Sequence, residues 1–204
     1  MIIDMGELSA ADAYFAMTQT VMPRPVAWVL STNENGSFNL APFSFFNAIN
    51  SDPPLLVYSV GVQPDGSPKD TVVNIAARPE FVVNIASVGQ LHELNQTSAT
   101  LPYGESEVEA NQIALADVEG FSLPRIAGSK IAMMCSRHQI QTIGNKGQSL
   151  IFGEIKSIYL DDQCAEITDK GRLKVHADRV EPLARLGAGE YASFGEILEA
   201  SRPD

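Results

Sequence analysis

Two long runs of strand-forming residues, 130–142 and 150–160, flank Gly144-Asn145-Lys146-Gly147 and constrain the fold more than any other feature of the chain. Such runs on either side of a Gly- and Asn-containing tetrapeptide predict a long β-hairpin. Shorter segments repeat the theme. Residues 26–30 and 38–41 lie on either side of Asn33-Glu34-Asn35-Gly36, a turn signal, and read as a second hairpin. The continuous apolar run 55–60 has the length of a buried strand, and 80–86 and 173–175 add two more.

Helical signals are fewer. Ser9-Ala10-Ala11-Asp12 has the form of a capping box and predicts a short helix that ends before Pro23. Residues 61–68, with two Gly and two Pro, read as a loop leading into a helix over 70–77. From 91 to 117 polar and apolar residues mix without strong alternation, which predicts short helices over a barrel mouth or at an interface. Residues 185–194 are Gly-rich and read as a loop packing back on the functional site. Strands dominate, so a closed antiparallel barrel fits better than a βαβ repeat.

At 204 residues, with no repeat or composition break, the chain reads as a single domain, 1–204. Its 14 basic and 25 acidic residues give a net charge of −11, which disfavours nucleic acid and anionic membrane as partners. An anionic cofactor then requires a locally positive pocket. No window approaches the roughly 18 apolar residues of a membrane helix, and Met1-Ile2-Ile3-Asp4-Met5-Gly6-Glu7 lacks a basic flank, so a cytoplasmic protein is expected. Cys135 and Cys164 are far apart, as are His92, His138 and His176, which argues against a disulfide or a structural metal.

Lys69-Asp70-Thr71 is the best phosphate candidate: Asp70 as N-cap, a hydroxyl from Thr71, and a cation from Lys69 at the positive end of a helix. Standing alone, the tripeptide equally describes a capped surface helix with a solvated lysine. In Asn39-Leu40-Ala41-Pro42-Phe43-Ser44-Phe45-Phe46-Asn47, small and amide-bearing residues alternate with aromatics on a strand and its exit. Such a segment can line a flat heteroaromatic ring, although its phenylalanines are more simply read as core and dimer packing. Cys135 and Trp28 read as core, and alternation puts Cys135 and Arg137 on one strand face and His138 on the other.

These two segments, the intervening Asp52-Pro53-Pro54, and the flanking runs from Pro23 to Thr32 and Glu80 to Asn84 resemble the flavin reductase-like family. Weaker echoes continue through the Cys135 strand, Phe152-Gly153-Glu154-Ile155, and Pro182-Leu183-Ala184-Arg185-Leu186-Gly187 followed by Tyr191. Ala188 stands where the family has a second Gly. The resemblance implies a mainly β, Greek-key, FMN-binding split barrel with short helices, and a homodimer with FMN near its interface. It implies ring contacts from Asn39, Ala41, Pro42 and Ser44, and ribityl or phosphate contacts from Ser31 and Thr32, residues that turn chemistry explains almost as well. Arg24, Phe45, Ser59, Lys69, Asp70 and Thr71 complete the implied cofactor set.

Hydride transfer from a nicotinamide to flavin N5 needs stacking and orientation more than a side-chain acid or base, so no catalytic residue is expected. No Gly-x-Gly-x-x-Gly follows a strand, so NAD(P)H is expected only as a transient donor. The leading reading is an FMN-dependent NAD(P)H:flavin oxidoreductase supplying electrons or reduced flavin to a partner such as a monooxygenase. A flavoredoxin-like electron carrier and a non-catalytic FMN-binding or storage protein are the alternatives.

Overall fold

In the computed structural model, which describes residues 1–200 and 203, helix α1 (Ala10–Thr20) begins at Ser9, whose hydroxyl accepts the Asp12 amide at 3.1 Å. A short β1 (Arg24–Pro25) leads into β2 (Ala27–Thr32), β3 (Phe38–Phe43), β4 (Phe46–Ser51) and β5 (Pro54–Val60), followed by α2 (Asp70–Ala77) and β6 (Glu80–Ile85). A connection containing α3 (Leu91–Gln96), α4 (Glu107–Ala110), β7 (Leu115–Ala116) and β8 (Arg125–Ile126) reaches the long hairpin of β9 (Ile131–Ile143) and β10 (Gln148–Leu160). The small elements β11 (Ala165–Ile167), β12 (Leu173–Val175), α5 (Ala177–Val180), β13 (Ala184–Arg185) and β14 (Tyr191–Ala192) follow. Among the described residues no helix is long and apolar enough to cross a membrane.

Seven strands form one antiparallel sheet in the order β3-β2-β6-β9-β10-β5-β4. Its two edge strands, β3 and β4, are separated in sequence only by Ser44 and Phe45. From Phe43 to Phe46 the chain spans at most about 10 Å, so the sheet must curl until its edges meet at this corner. The amide of Ser59 on β5 donates to the carbonyl of Phe45 at 2.9 Å and ties the corner down. Away from it the edges part, giving a split barrel rather than the fully closed one that strand content alone suggested.

Alternation along the strands divides the apolar residues between two cores. Ala27, Val29, Leu56, Tyr58, Phe81, Val83, Cys135 and Ile151 fill the interior, to which α2 adds Val72 and Ile75. Trp28, Leu30, Leu40, Val82, Ala132 and Met134 point outward and are covered by Leu94 of α3, Val108 of α4 and Ile126 of β8. The 91–126 connection is thus a cover over the outer face of β2, β3 and β6, not a lid on the barrel mouth.

Two further expectations change. Residues 185–194 hold the end of β13 and all of β14, which with β1 form a small antiparallel sheet, β1-β13-β14, with Arg24 opposite Arg185. In the β9–β10 ladder Phe152 faces Gln139 while Gly153 faces Arg137, so His138 falls in a bulge and is exposed. Cys135 and Arg137 stay in step, opposite Ile155 and Gly153, and the extra residue breaks the simple alternation only at His138.

Candidate functional site

Because β3 is an edge strand, its outward backbone groups need partners other than a strand. Residues 106 and 107 supply them. Ser106 Oγ donates to the Phe38 carbonyl at 2.6 Å, and the Leu40 amide donates to Glu107 Oε2 at 2.9 Å. Pro42 has the same parity as Leu40, so its missing N–H costs no ladder bond.

Beside this covered edge lies a cleft of about 230 Å³. Asn39, Ala41 and Pro42 of β3 form one wall, Lys69, Asp70 and Thr71 at the start of α2 a second, and residues 97–101 with Glu107 a third. Six of the residues singled out by sequence therefore converge on one place, from segments some 30 residues apart. Asn39 joins two walls by donating from Nδ2 to Thr71 Oγ1 at 3.0 Å.

The helix start differs from expectation in one respect. Lys69, not Asp70, occupies the N-cap position, and among the described residues no side chain caps the helix. Asp70 is the first helical residue, and its carboxylate accepts the Gly104 amide at 3.0 Å, drawn away by a partner distant in sequence. The Val72 and Val73 amides bond the Lys69 carbonyl, and the uncapped helix end keeps those of Asp70 and Thr71 for another acceptor. Among the described residues Lys69 has no carboxylate within ion-pair distance. An ammonium beside an uncapped helix end fits a phosphate monoester, and small Ala41 and Pro42 next to it leave room for the rest of a nucleotide.

Ser31 and Thr32 do not line the cleft. Ser31 is buried behind it and accepts hydrogen bonds from Asn39 and Asn74, both at 3.3 Å. Asn74 also donates to Asn33 at 2.8 Å, while Arg78 bonds Asn74 at 3.0 Å and the Thr32 carbonyl at 2.8 Å. The network locks α2 against β2 and so fixes the position of Lys69 and Thr71.

Arg24, Ser44, Phe45 and Ser59 gather at the corner, the far end of the same strand. From Asn39 to Ser44 an extended chain rises about 17 Å. Arg24 is buried and donates to the carbonyls of Thr18 and Leu186, each at 2.7 Å, and to that of Val21. Its Nε lies 3.4 Å from Ser44 Oγ, and its guanidinium lies 6.0 Å from the Phe45 ring centre. Burial lowers its pKa, with a further push from Arg185. Ser59 Oγ accepts Gln148 Nε2 at 2.7 Å.

Sequence reasoning missed Glu107 and the 97–101 wall. The one available signal was Ser106 three residues before Glu109, a helix N-cap pattern, and Ser106 Oγ does accept the Glu109 amide at 3.2 Å. Glu107 is 7% exposed, and burial raises its pKa, with Asp70 adding to the rise; the Leu40 amide and its own amide pull the other way. The remaining candidates are structural. Trp28 is fully buried with Nε1 on Thr97 Oγ1 at 2.8 Å, and burial pushes the Cys135 thiol up. Arg137 donates to the Ile75 carbonyl at 3.1 Å at the end of α2. Among the described residues no three His, Cys, Asp or Glu side chains are placed to hold a metal.

The family model for the flavin reductase like domain matches residues 17–177. A protein of Halalkalibacterium halodurans is 33% identical over 207 residues, covering 100% of this chain and 97% of its own length. The structure of nitrilotriacetate monooxygenase component B from Bacillus cereus superimposes with a TM-score of 0.88 at 32% identity over 98% of both chains. That of the 2-nitrobenzoate 2-nitroreductase NbaA of Pseudomonas fluorescens gives 0.87 at 32% identity, over 100% of this chain and 96% of the other.

Proposed function

Because the chain belongs to the flavin reductase-like family, we propose that it binds FMN along β3 and works as an NAD(P)H-dependent flavin oxidoreductase. The observation that carries this reading is the cleft itself: Asn39, Ala41, Pro42, Lys69, Asp70 and Thr71 converge there around an uncapped helix start. In this arrangement Lys69, Thr71 and the first amides of α2 hold the phosphate. The backbone from Ala41 of β3 to Ser44 just beyond it runs along the ring, and the corner residues Arg24, Phe45 and Ser59 keep that strand in place.

A flavin bound there supplies a hydride acceptor that can pass electrons on singly or in pairs. The chain contributes binding, orientation and a wall that keeps water from one side, so no side-chain acid or base is required. With no dinucleotide-binding motif, NAD(P)H docks transiently over the flavin. The similarity to a monooxygenase component favours delivery of reducing equivalents to a partner enzyme. The equal similarity to a nitroreductase supports a second reading, in which an acceptor is reduced directly on the flavin.

Absorbance spectra of the protein with FMN, before and after anaerobic NADH or NADPH, test the proposal. Bleaching of the flavin bands is expected, and a protein that FMN cannot reconstitute overturns it. Turnover that needs a second protein supports the first reading, and turnover with a nitroaromatic alone supports the second. Lys69→Ala should weaken FMN about tenfold or more, the value of one charge-assisted hydrogen bond. Riboflavin, which lacks the phosphate, should be affected little, and fluorescence titration measures both.

A further inference from the structure

The charged side chains lining the cleft are one cation, Lys69, and two acids, Asp70 and Glu107. That balance is unfavourable for a phosphate that carries close to two negative charges at neutral pH. The helix end adds only about half a positive charge. We propose that the cleft takes up FMN together with one proton, held on Glu107, so that FMN is captured as the pH falls and released as it rises. The inference rests on the FMN reading above and adds the regulation of that site.

Geometry singles out Glu107 from its neighbours. Its Oε2 accepts the Leu40 amide at 2.9 Å, which holds the side chain in the cleft wall. It is buried, whereas Glu105 and Glu109 on either side of it are exposed. The groups facing it are Asp70 and Lys69 from α2; β3 presents Asn39, Leu40, Ala41 and Pro42, none of them titratable, and residues 97–101 present none either. Each acid accepts one backbone amide, Asp70 from Gly104 and Glu107 from Leu40, and Glu107 is the more deeply buried of the two, which makes it the acid that yields. Once protonated, Glu107 keeps an oxygen for the Leu40 amide and offers an O–H to ligand oxygens.

The sign follows from linkage. Burial and Asp70 raise the pKa of Glu107 before any ligand arrives, and a bound phosphate raises it again. Between the two values binding takes up a proton, and the FMN dissociation constant rises with pH by up to about tenfold per unit. Ionisation of the phosphate itself, near pH 6, works in the opposite direction by strengthening its pairing with Lys69.

FMN dissociation constants measured from about pH 5 to about pH 9, with calorimetry in two buffers of different ionisation enthalpy to count protons, test this. The native protein should take up a proton and lose affinity as pH rises. Glu107→Gln, which keeps an acceptor for Leu40 and cannot ionise, should take up none and bind FMN at high pH as the native protein does at low pH. Riboflavin should show no proton uptake at Glu107. Asp70→Asn should move the window to lower pH, which keeps the test intact if Glu107→Gln fails to fold. An unchanged pH dependence in Glu107→Gln, or a native affinity that is flat or rises with pH, overturns the inference while FMN still binds. Failure of FMN and riboflavin to bind at any pH overturns the FMN reading as well.

Discussion

Tyr58 is fully buried in the barrel, and among the described residues its hydroxyl has no hydrogen-bond partner. Its ring packs 5.4 Å from that of Phe43 and 5.9 Å from that of Phe81, and burial pushes the phenol pKa well above its ordinary value. The ring contributes packing and the oxygen only a desolvation cost. Tyr58→Phe should therefore raise stability by about 1 kcal/mol, seen as a higher denaturant midpoint with an unchanged slope. Asn39 and Asn74 are the opposite case, buried polar groups whose amides are answered by Thr71, Asn33 and Arg78. At this scale much of the site was legible. Lys69 and Thr71 pointed to a candidate anion site by residue type, Asn39, Ala41 and Pro42 pointed to a shallow wall, and all five line one cleft. Asp70 was misassigned as the cap because its preference for that position is strong, while the Gly104 amide that claims its carboxylate lies 34 residues away.

Among the elements, the interior strands were the easiest to read, since β2, β5, β6, β9 and β10 carry the apolar residues of both cores. β4 was hidden for the converse reason. It is a solvent-facing edge strand, half polar and exposed along most of its length, and only the Pro54 to Tyr58 stretch of β5 specifies its pairing. The wall formed by 97–101 and Glu107 was illegible because α4 has only four residues and owes its place to the free edge of β3. Close approach between elements also sets limits that composition does not show. A Cβ added at Gly153 of β10 would stand 2.5 Å from Phe81 Cζ of β6 and 3.3 Å from Leu56 Cδ1 of β5. Gly153→Ala should destabilise the barrel by about 1–3 kcal/mol, with a fall in melting temperature and no loss of secondary structure on chilling.

For the molecule as a whole, the apolar surface is unevenly placed. Tyr14, Phe15 and Met17 of α1 and Ile49 of β4 are exposed, and Tyr14 sits 6.2 Å from Phe45, where the chain turns into β4. An apolar helix beside an unpaired strand edge is a surface that a second copy can cover. A dimer is expected by light scattering, and Phe15→Glu should shift it to monomer and weaken FMN binding. A native monomer that holds FMN would count against that arrangement.

Ser44 and Phe45 have a mechanical meaning as well. They are the clasp of a bracelet: the seven strands supply the band, and two residues alone decide how tightly it is drawn. Neither residue belongs to a paired strand, and the Ser59 amide on the Phe45 carbonyl holds the stretch to β5. Each residue added there would let the ends separate by up to about 3.5 Å, and the gap would open next to Pro42. The spacing of the two sheet edges beyond Pro42 is thus set by a count of residues at one corner.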